Sequence, residues 1–381
     1  MRYRKFGKLD WEVSALGFGA MRLPILDKNP AHIDEPEAIR MIRHSIDNGV
    51  NYVDTAYPYH GGQSEPLVAK ALEDGYRAKV KLATKLPSWL VQTADDFDQY
   101  LGEQLERLKT DQIDFYLLHG MNKARWPQLR DLDIVGKAEK AIEDGRIKHL
   151  GFSFHDDLEV FKQIIDGCDK WTFCQIQYNY MDTDYQAGTE GLKYAAAKGL
   201  AVVVMEPIRG GQLAKEPPEP VAEIWAEARI NRTPVEWALQ WVWNQPEVSV
   251  VLSGMTTMRH VEENLESAGR SGIGRLTADE VSLLDKVTEA YRGLSPIPCT
   301  NCMYCMPCPN EVNIPGVFGI YNDATMYGDP RRSKALYLMR LTEEERADKC
   351  EDCEECLELC PQAIDIPDWM EKAHELLAPK N

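Results

Sequence analysis

Residues 37–59 run EAIRMIRHSIDNGVNYVDTAYPY. The first twelve set Ile39, Ile42 and Ile46 at helical spacing among charged groups, which predicts an amphipathic helix over 37–48. Gly49 ends it. The apolar run 50–54 that follows is too short for a helix, reads as a buried strand, and is closed by an acid, Asp54. The same alternation recurs on both sides. Strands are expected at 14–19, 50–54, 80–85, 113–119, 149–153, 173–178, 201–206 and 249–254, with helices at 37–48, 94–108, 136–144, 186–198, 234–244 and 257–267. Eight strands alternating with helices predict an α/β fold whose parallel sheet closes into a (β/α)8 TIM barrel; the competitor is a doubly wound open sheet. Residues 3–13 read as a hairpin turned at 7–10, expected to plug the bottom of the barrel.

The rhythm stops near Arg292. With a glycine and two prolines, 292–298 reads as a linker, so the barrel is expected over 1–291 and a second domain over 299–381. Residues 216–220, with three prolines, read as a short stiff loop. The tail holds Cys299-x2-Cys302-x2-Cys305-x2-Cys308-Pro309 and Cys350-x2-Cys353-x2-Cys356-x3-Cys360-Pro361 around a helix-like stretch. Three thiolates at three-residue spacing let one loop wrap three corners of an iron–sulfur cube, and the fourth Cys, before proline, reaches the other cluster. Cys299, Cys302, Cys305 and Cys360 are therefore expected on one [4Fe–4S] cluster, and Cys350, Cys353, Cys356 and Cys308 on the other. In the first motif the last gap is one residue short of the bacterial-ferredoxin pattern. Structural zinc has no place for a third in-line cysteine. The expected whole is a barrel followed by a small, mainly helical, ferredoxin-like domain. Cys168 and Cys174 read as core residues, and Met303, Tyr304 and Met306 as a water shield for a cluster.

A net charge of −18 and the absence of a basic stripe argue against nucleic acid as a partner. No run reaches the roughly 20 apolar residues of a membrane helix, and the basic N-terminus lacks the apolar stretch of a signal peptide. A cytoplasmic protein is expected, in which crowded cysteines bind metal rather than pair as disulfides. Residues 343–358 carry nine acids against two bases, either a docking face for a basic redox partner or a solvated surface.

Chemistry in such a barrel sits at the C-terminal ends of the strands. Those ends offer Asp54, Lys85, His119, Ser153 with His155, Gln177 with Asn179, Glu206, and Ser253 with Gly254; Tyr59 follows Asp54 by five residues. Trp89, Trp126, Tyr57 and Phe154 are candidates for an apolar substrate pocket. The run Asp54-Thr-Ala-x-x-Tyr59 with its trailing Gly-Gly-Gln-Ser-Glu65 resembles the aldo–keto reductase family, and the tail resembles the branch of that family fused to a ferredoxin-type domain. The resemblance covers essentially the whole chain. It implies a catalytic tetrad of Asp54, Tyr59, Lys85 and His119. Carbonyl reduction needs hydride on carbon and a proton on oxygen. Lys85 beside Tyr59 is expected to lower the phenol's pKa, with Asp54 holding the lysine and His119 orienting the substrate oxygen.

The resemblance also implies a nicotinamide cofactor, NAD(H) or NADP(H). Its amide would lie against Ser153 and Asn179, with Gln175 and Gln177 nearby. Its pyrophosphate would meet Glu206, Arg209 and Gly210 after one strand and Ser253, Gly254 and Met255 after the next, with Gly19 and Met21 from the first strand's loop. Glu263 and Asn264 match the adenine contacts. Where NADPH-preferring members carry a Lys and an Arg, this chain has Gly254 and His260, with Arg259 adjacent. NADH, or FMN in the same phosphate site, thereby becomes credible. Three functions remain open: a nicotinamide-dependent reductase of a small-molecule carbonyl (or the reverse oxidation of the alcohol) bearing two clusters; a relay in which the clusters pass single electrons between a ferredoxin-like carrier and a barrel-bound flavin or substrate; and a non-catalytic redox sensor or scaffold.

Overall fold

The computed structural model describes residues 1–299, 301, 303–360 and 362–379. The chain divides into two compact units, residues 1–214 with 232–281 and residues 215–231 with 282–381.

The first unit holds the ten strands found among the described residues. β1 (Tyr3–Lys5) and β2 (Glu12–Ser14) form the antiparallel hairpin. β3 (Leu16–Gly19), β4 (Tyr52–Asp54), β5 (Lys81–Leu86), β6 (Ile113–Met121), β7 (Ile147–Phe154), β8 (Phe173–Gln177), β9 (Ala201–Met205) and β10 (Val248–Gly254) pair in parallel in that order, and β10 closes on β3. The sheet is the closed barrel, not the open alternative. The expected strand 14–19 is shorter at its start, because Ser14 pairs with Tyr3 in the hairpin and barrel pairing begins at Leu16. The six expected helices appear as Glu35–Asp47, Asp96–Leu108, Ile134–Glu143, Gly188–Ala197, Pro234–Trp243 and Met258–Arg270. Ser64–Ala71, Arg125–Asp131 and Leu158–Asp166 add to them. Glu35–Asp47 shows the local logic: the Asp34 side chain accepts from Glu37 N–H, Pro36 occupies the first turn, and Ala38, Met41, Ile42 and Ile46 face the core.

Side chains alternate along a strand, and that alternation places the site. Phe6 from the hairpin turn enters the bottom of the barrel and meets inward-facing Tyr52, Phe115 and Phe173, its ring centroid 4.6 Å from that of Phe115. Gly7 lets the turn come this close: its φ is +56°, and a Cβ there would lie 2.5 Å from the Ala201 nitrogen. Two residues above Tyr52 the inward position is Asp54, and two above Ala83, which lies in the same core cluster, it is Lys85. Four residues above Phe115 it is His119, and four above Phe173 it is Gln177. Polar groups at the strand ends thus share the barrel's upper interior.

The second unit is mainly helical: Glu219–Trp225, Ile314–Met326, Pro330–Arg340, the short Glu355–Leu359 and Ile366–Leu377. Its core gathers Ile297, Val317, Phe318, Tyr337, Met370 and Leu377. The expected stiff loop 216–220 ends early, because Pro218 caps a helix whose first turn takes Pro220, a position where a missing N–H costs nothing. Lys215 pairs with Asp329 at 2.9 Å, and Asp329 also caps the helix Pro330–Arg340. Compactness thus groups 215–231 and 282–298 with the tail. Among the described residues no helix is long and apolar enough to cross a membrane.

Candidate functional site

Lys85 is fully buried, and its ammonium donates to both carboxylate oxygens of Asp54 at 2.8 Å and to the Thr55 carbonyl at 2.8 Å. Its Nζ also stands 3.4 Å from the Tyr59 hydroxyl. Tyr59 opens a short turn, Tyr59–Gly62, bent back by left-handed His60 and Gly61. Its ring meets that of His119 edge-on, centroids 6.1 Å apart. The four residues of the tetrad come together around one point at the top of the barrel.

Lys85 acts on the Tyr59 hydroxyl in the expected direction, but it is outweighed. Burial lifts the Tyr59 hydroxyl above its ordinary pKa; Lys85 pulls it down and Asp54 pushes it up again. The lysine's charge is largely spent on its carboxylate partner, so burial wins and Tyr59 stays protonated at neutral pH. Burial works against the Lys85 ammonium, but Asp54 and Tyr59 together raise its pKa. Burial also raises the Asp54 carboxyl against the pull of Lys85. His119 is held well below the usual imidazole value, first by burial and then by Lys85, His155 and Arg125. It is neutral, and its buried Nδ1 has no partner among the described residues.

Behind Lys85 lies a network that sequence reading leaves out. The Glu65 carboxylate accepts from Thr84 Oγ1 at 2.7 Å and Gln104 Nε2 at 2.6 Å, while Gln104 donates to the Lys85 carbonyl at 3.1 Å and accepts from Tyr116 at 2.7 Å. These bonds fix the backbone that carries the lysine. Glu65 closes the Gly-Gly-Gln-Ser-Glu run, the signal by which it could have been found.

The expected cofactor residues divide. Ser153 Oγ accepts from Gly120 N–H at 2.8 Å, which leaves its hydrogen to donate. Gln177 donates to Asp182 at 2.8 Å, but its buried Oε1 has no partner among the described residues, nor has Gln175 Oε1 beside it. The Asn179 amide is fully engaged within the fold. Oδ1 accepts from Met181 and Asp182 N–H, and Nδ2 donates to Asp182 and the Glu206 carbonyl. Arg209 pairs with Asp182 at 3.1 Å, in a loop where Glu206, Arg209 and Gly210 all take positive φ. Gly254 aligns with Gly19 across the β10–β3 seam. Ser253 Oγ accepts from Asn264 at 3.0 Å, Met255 is buried, and Glu263 pairs with Arg259 at 2.7 Å. Met21 is 57% exposed.

Of the proposed pocket aromatics, Trp89 is exposed with its ring 5.2 Å from that of His119. The others serve elsewhere. Trp126 packs on Trp171, Phe154 on Phe161, and Tyr57 on Tyr100 with its hydroxyl donated to Glu103. Cys174 is buried core, whereas Cys168 is only half-buried.

The cysteines of the tail surround two cavities. One is lined by Cys305, Cys308, Cys350, Cys353 and Cys356. The other is lined by Cys299, Cys305 and Cys360; Cys302 lies outside the described residues. Each loop thus shares its cavity with the fourth cysteine of the other. Two halves repeat one backbone plan. Asn301 and Met303 take positive φ two and four residues after Cys299, and Asp352 and Glu354 do so after Cys350. Glu311 and Ala363 follow Cys308 and Cys360 by three residues, also at positive φ. Asn313 and Asp365 then cap helices that start Ile314-Pro315 and Ile366-Pro367. Turns of this kind can present backbone N–H groups to an anion. Burial, with Cys350, Cys353 and Cys308 adding, pushes the Cys356 thiol up to about 11. Among the described residues no three His, Cys, Asp or Glu side chains close on a single ion. Met303 lines the smaller cavity and Met306 packs on the core, but Tyr304 is 66% exposed and shields nothing.

Comparisons with known proteins agree with this geometry. Residues 15–289 match the profile described as the aldo/keto reductase family, and residues 298–364 match a 4Fe-4S dicluster domain. Curated relatives include an uncharacterized oxidoreductase, YqkF, of Bacillus subtilis, 25% identical over 76% of this chain and 97% of the relative. The L-galactose dehydrogenase of Arabidopsis thaliana is 25% identical over 77% of this chain and 96% of its own. Among solved structures, the holo form of aldo-keto reductase AKR11C1 from Bacillus halodurans is 26% identical with a TM-score of 0.63, over 76% of this chain and 97% of that one. The thermostable aldo-keto reductase Tm1743, bound to the inhibitor epalrestat, is 25% identical with a TM-score of 0.62, over 75% and 100%.

Proposed function

Because the chain belongs to the aldo/keto reductase family and ends in a 4Fe-4S dicluster domain, we propose that it is a cytoplasmic, nicotinamide-dependent reductase of a small carbonyl compound, or oxidant of the matching alcohol, carrying two clusters. The observation that carries this reading is the buried Lys85–Asp54 pair set 3.4 Å from the Tyr59 hydroxyl. A bound nicotinamide supplies or accepts hydride at the substrate carbon. Tyr59 donates its proton to the carbonyl oxygen, and Lys85 stabilises the phenolate that this leaves, with Asp54 holding the ammonium in place. Neutral His119 orients the oxygen by a hydrogen bond. The unpartnered Gln177 Oε1 and the free hydrogen of Ser153 suit the two ends of a carboxamide. Loops 206–210 and 253–255 would take the pyrophosphate, and Glu263 and Asn264 the adenine. Each cluster would be held by one three-cysteine loop and the fourth cysteine of the other motif, as the two cavities group them.

Anaerobic protein mixed with NADH and an aldehyde should consume NADH in step with aldehyde while the iron–sulfur absorbance stays unbleached. Bleaching of that band by NADH, together with a flavin spectrum, would favour the electron relay instead. NADH should bind at least as tightly as NADPH, since Arg259 is engaged by Glu263 at 2.7 Å and Gly254 offers no charge. Tighter NADPH binding, measured by titration, would overturn that preference and put the extra phosphate on Arg22, whose side chain lies over Gly254.

A further inference from the structure

The mouth of the barrel beside His119 carries more positive charge than the tetrad uses. Arg125, at the start of helix Arg125–Asp131, donates from Nη1 to the Gly120 carbonyl at 2.6 Å. Its guanidinium therefore lies against the backbone one residue beyond His119, so close that a Cβ on Gly120 would come within 2.9 Å of it. Its Cζ stands 5.8 Å from the Trp89 ring centroid, and that ring is 5.2 Å from His119. Cation, indole and imidazole form one continuous wall.

Among the described residues this guanidinium forms no ion pair, and no carboxylate shifts its titration; burial alone acts on it. Half-buried cations normally find an anion. Asp156, the carboxylate bound to the same loop, accepts from the backbone N–H groups of Lys123 at 2.7 Å and Asp157 at 2.8 Å and makes no ion pair with Arg125 among the described residues. The charges that act on His119 come from Lys85, His155 and Arg125, all basic residues. In a chain of net charge −18 this local field is an exception. A fork of N–H donors with one bond made and no anion is suited to receiving a carboxylate in parallel.

We propose that Arg125, backed by Trp89, is the subsite for a carboxylate on the substrate, so that the carbonyl compound reduced here is an aldehyde or ketone bearing a carboxylate a few bonds from its carbonyl. This rests on the reductase reading above. The carboxylate docks on Arg125 and sets the carbonyl between Tyr59 and His119; the hydride and proton transfers are unchanged.

The test compares 4-oxobutanoate with neutral butanal, using wild type and Arg125→Gln. Wild type should favour 4-oxobutanoate in kcat/KM, and in Arg125→Gln the ratio of the two kcat/KM values should fall by about tenfold or more, the range for a charge-assisted bond. A wild type indifferent to the charge, or a ratio unchanged by the substitution, would overturn the proposal and leave Arg125 a clamp for the Gly120 carbonyl. If neither aldehyde is turned over, it is the reductase reading that fails, and calorimetry with 4-hydroxybutanoate then decides the subsite. Binding to wild type that is weakened about tenfold in Arg125→Gln upholds the subsite, and absence of binding to wild type removes it.

Discussion

Tyr59→Phe should slow carbonyl reduction by about 100- to 10,000-fold while leaving nicotinamide affinity within about twofold, because the change removes the proton-donating hydroxyl and keeps the ring. The hydroxyl lies 3.4 Å from Lys85 and is the acid placed next to His119. Stopped-flow rates and a binding titration measure the two effects, and turnover at the wild-type rate would remove Tyr59 from the mechanism. The pH dependence has a fixed sign. Burial raises the Tyr59 pKa, so the phenol is protonated through the neutral range, and reduction should be lost only as pH rises through that elevated value. His119, held well below the ordinary imidazole value, should add no step near neutrality. A reduction rate that climbs with pH above neutral would contradict the assignment.

The paired substitution Cys299→Ala with Cys360→Ala should cost about half of the iron and acid-labile sulfide, and the pair Cys308→Ala with Cys350→Ala should do the same. Each pair removes two ligands from one cavity and none from the other. Were each motif to ligate its own cube with all four cysteines, both double variants would strike one ligand of each cube and lose nearly all the iron; the reciprocal pairs are Cys299→Ala with Cys308→Ala and Cys350→Ala with Cys360→Ala. Those damage both sites under crossed ligation and only one under in-line ligation. Near-complete loss of iron in them is the expected result, and retention of half would refute the crossing. The second unit should become easier to unfold in step, since ligand binding by a small domain is part of its folding free energy. Its core includes Val317, Phe318 and Met370, which face that same region of the fold.

What the sequence makes legible follows from periodicity and spacing. Strand–helix alternation is a one-dimensional pattern, so the closed barrel and the hairpin plug can be read from it. The tetrad is legible because Asp54, Lys85 and His119 end apolar runs. The rest depends on who meets whom. The saturation of Asn179 comes from Met181, Asp182 and Glu206, and nothing in a Gln-Tyr-Asn string announces it. The pKa of Tyr59 turns on the balance of burial against a neutralised lysine, which needs three dimensions. Helix Glu219–Trp225 is obscured by prolines that read as loop until their position in the first turn is known.

The two cysteine loops share a backbone plan but not a charge. Between Cys299 and Cys308 there is no acid or base, whereas the loop from Cys350 to Cys360 carries Glu351, Asp352, Glu354, Glu355 and Glu358. Glu354 stands at the position that Met303 takes in the first loop, and both are exposed. Solvent therefore reaches both loops, and the difference left between them is electrostatic. One-electron reduction adds a negative charge, so nearby carboxylates oppose it. Two clusters held in these loops should differ in midpoint potential, with the one in the 350 loop the harder to reduce. An electron delivered to this domain would then come to rest in the 299 loop. Titration with a low-potential one-electron reductant, followed by electron paramagnetic resonance, should resolve two steps rather than one, about 59 mV of separation for each tenfold in the reduction equilibrium. Added salt should draw the steps together by screening the exposed carboxylates.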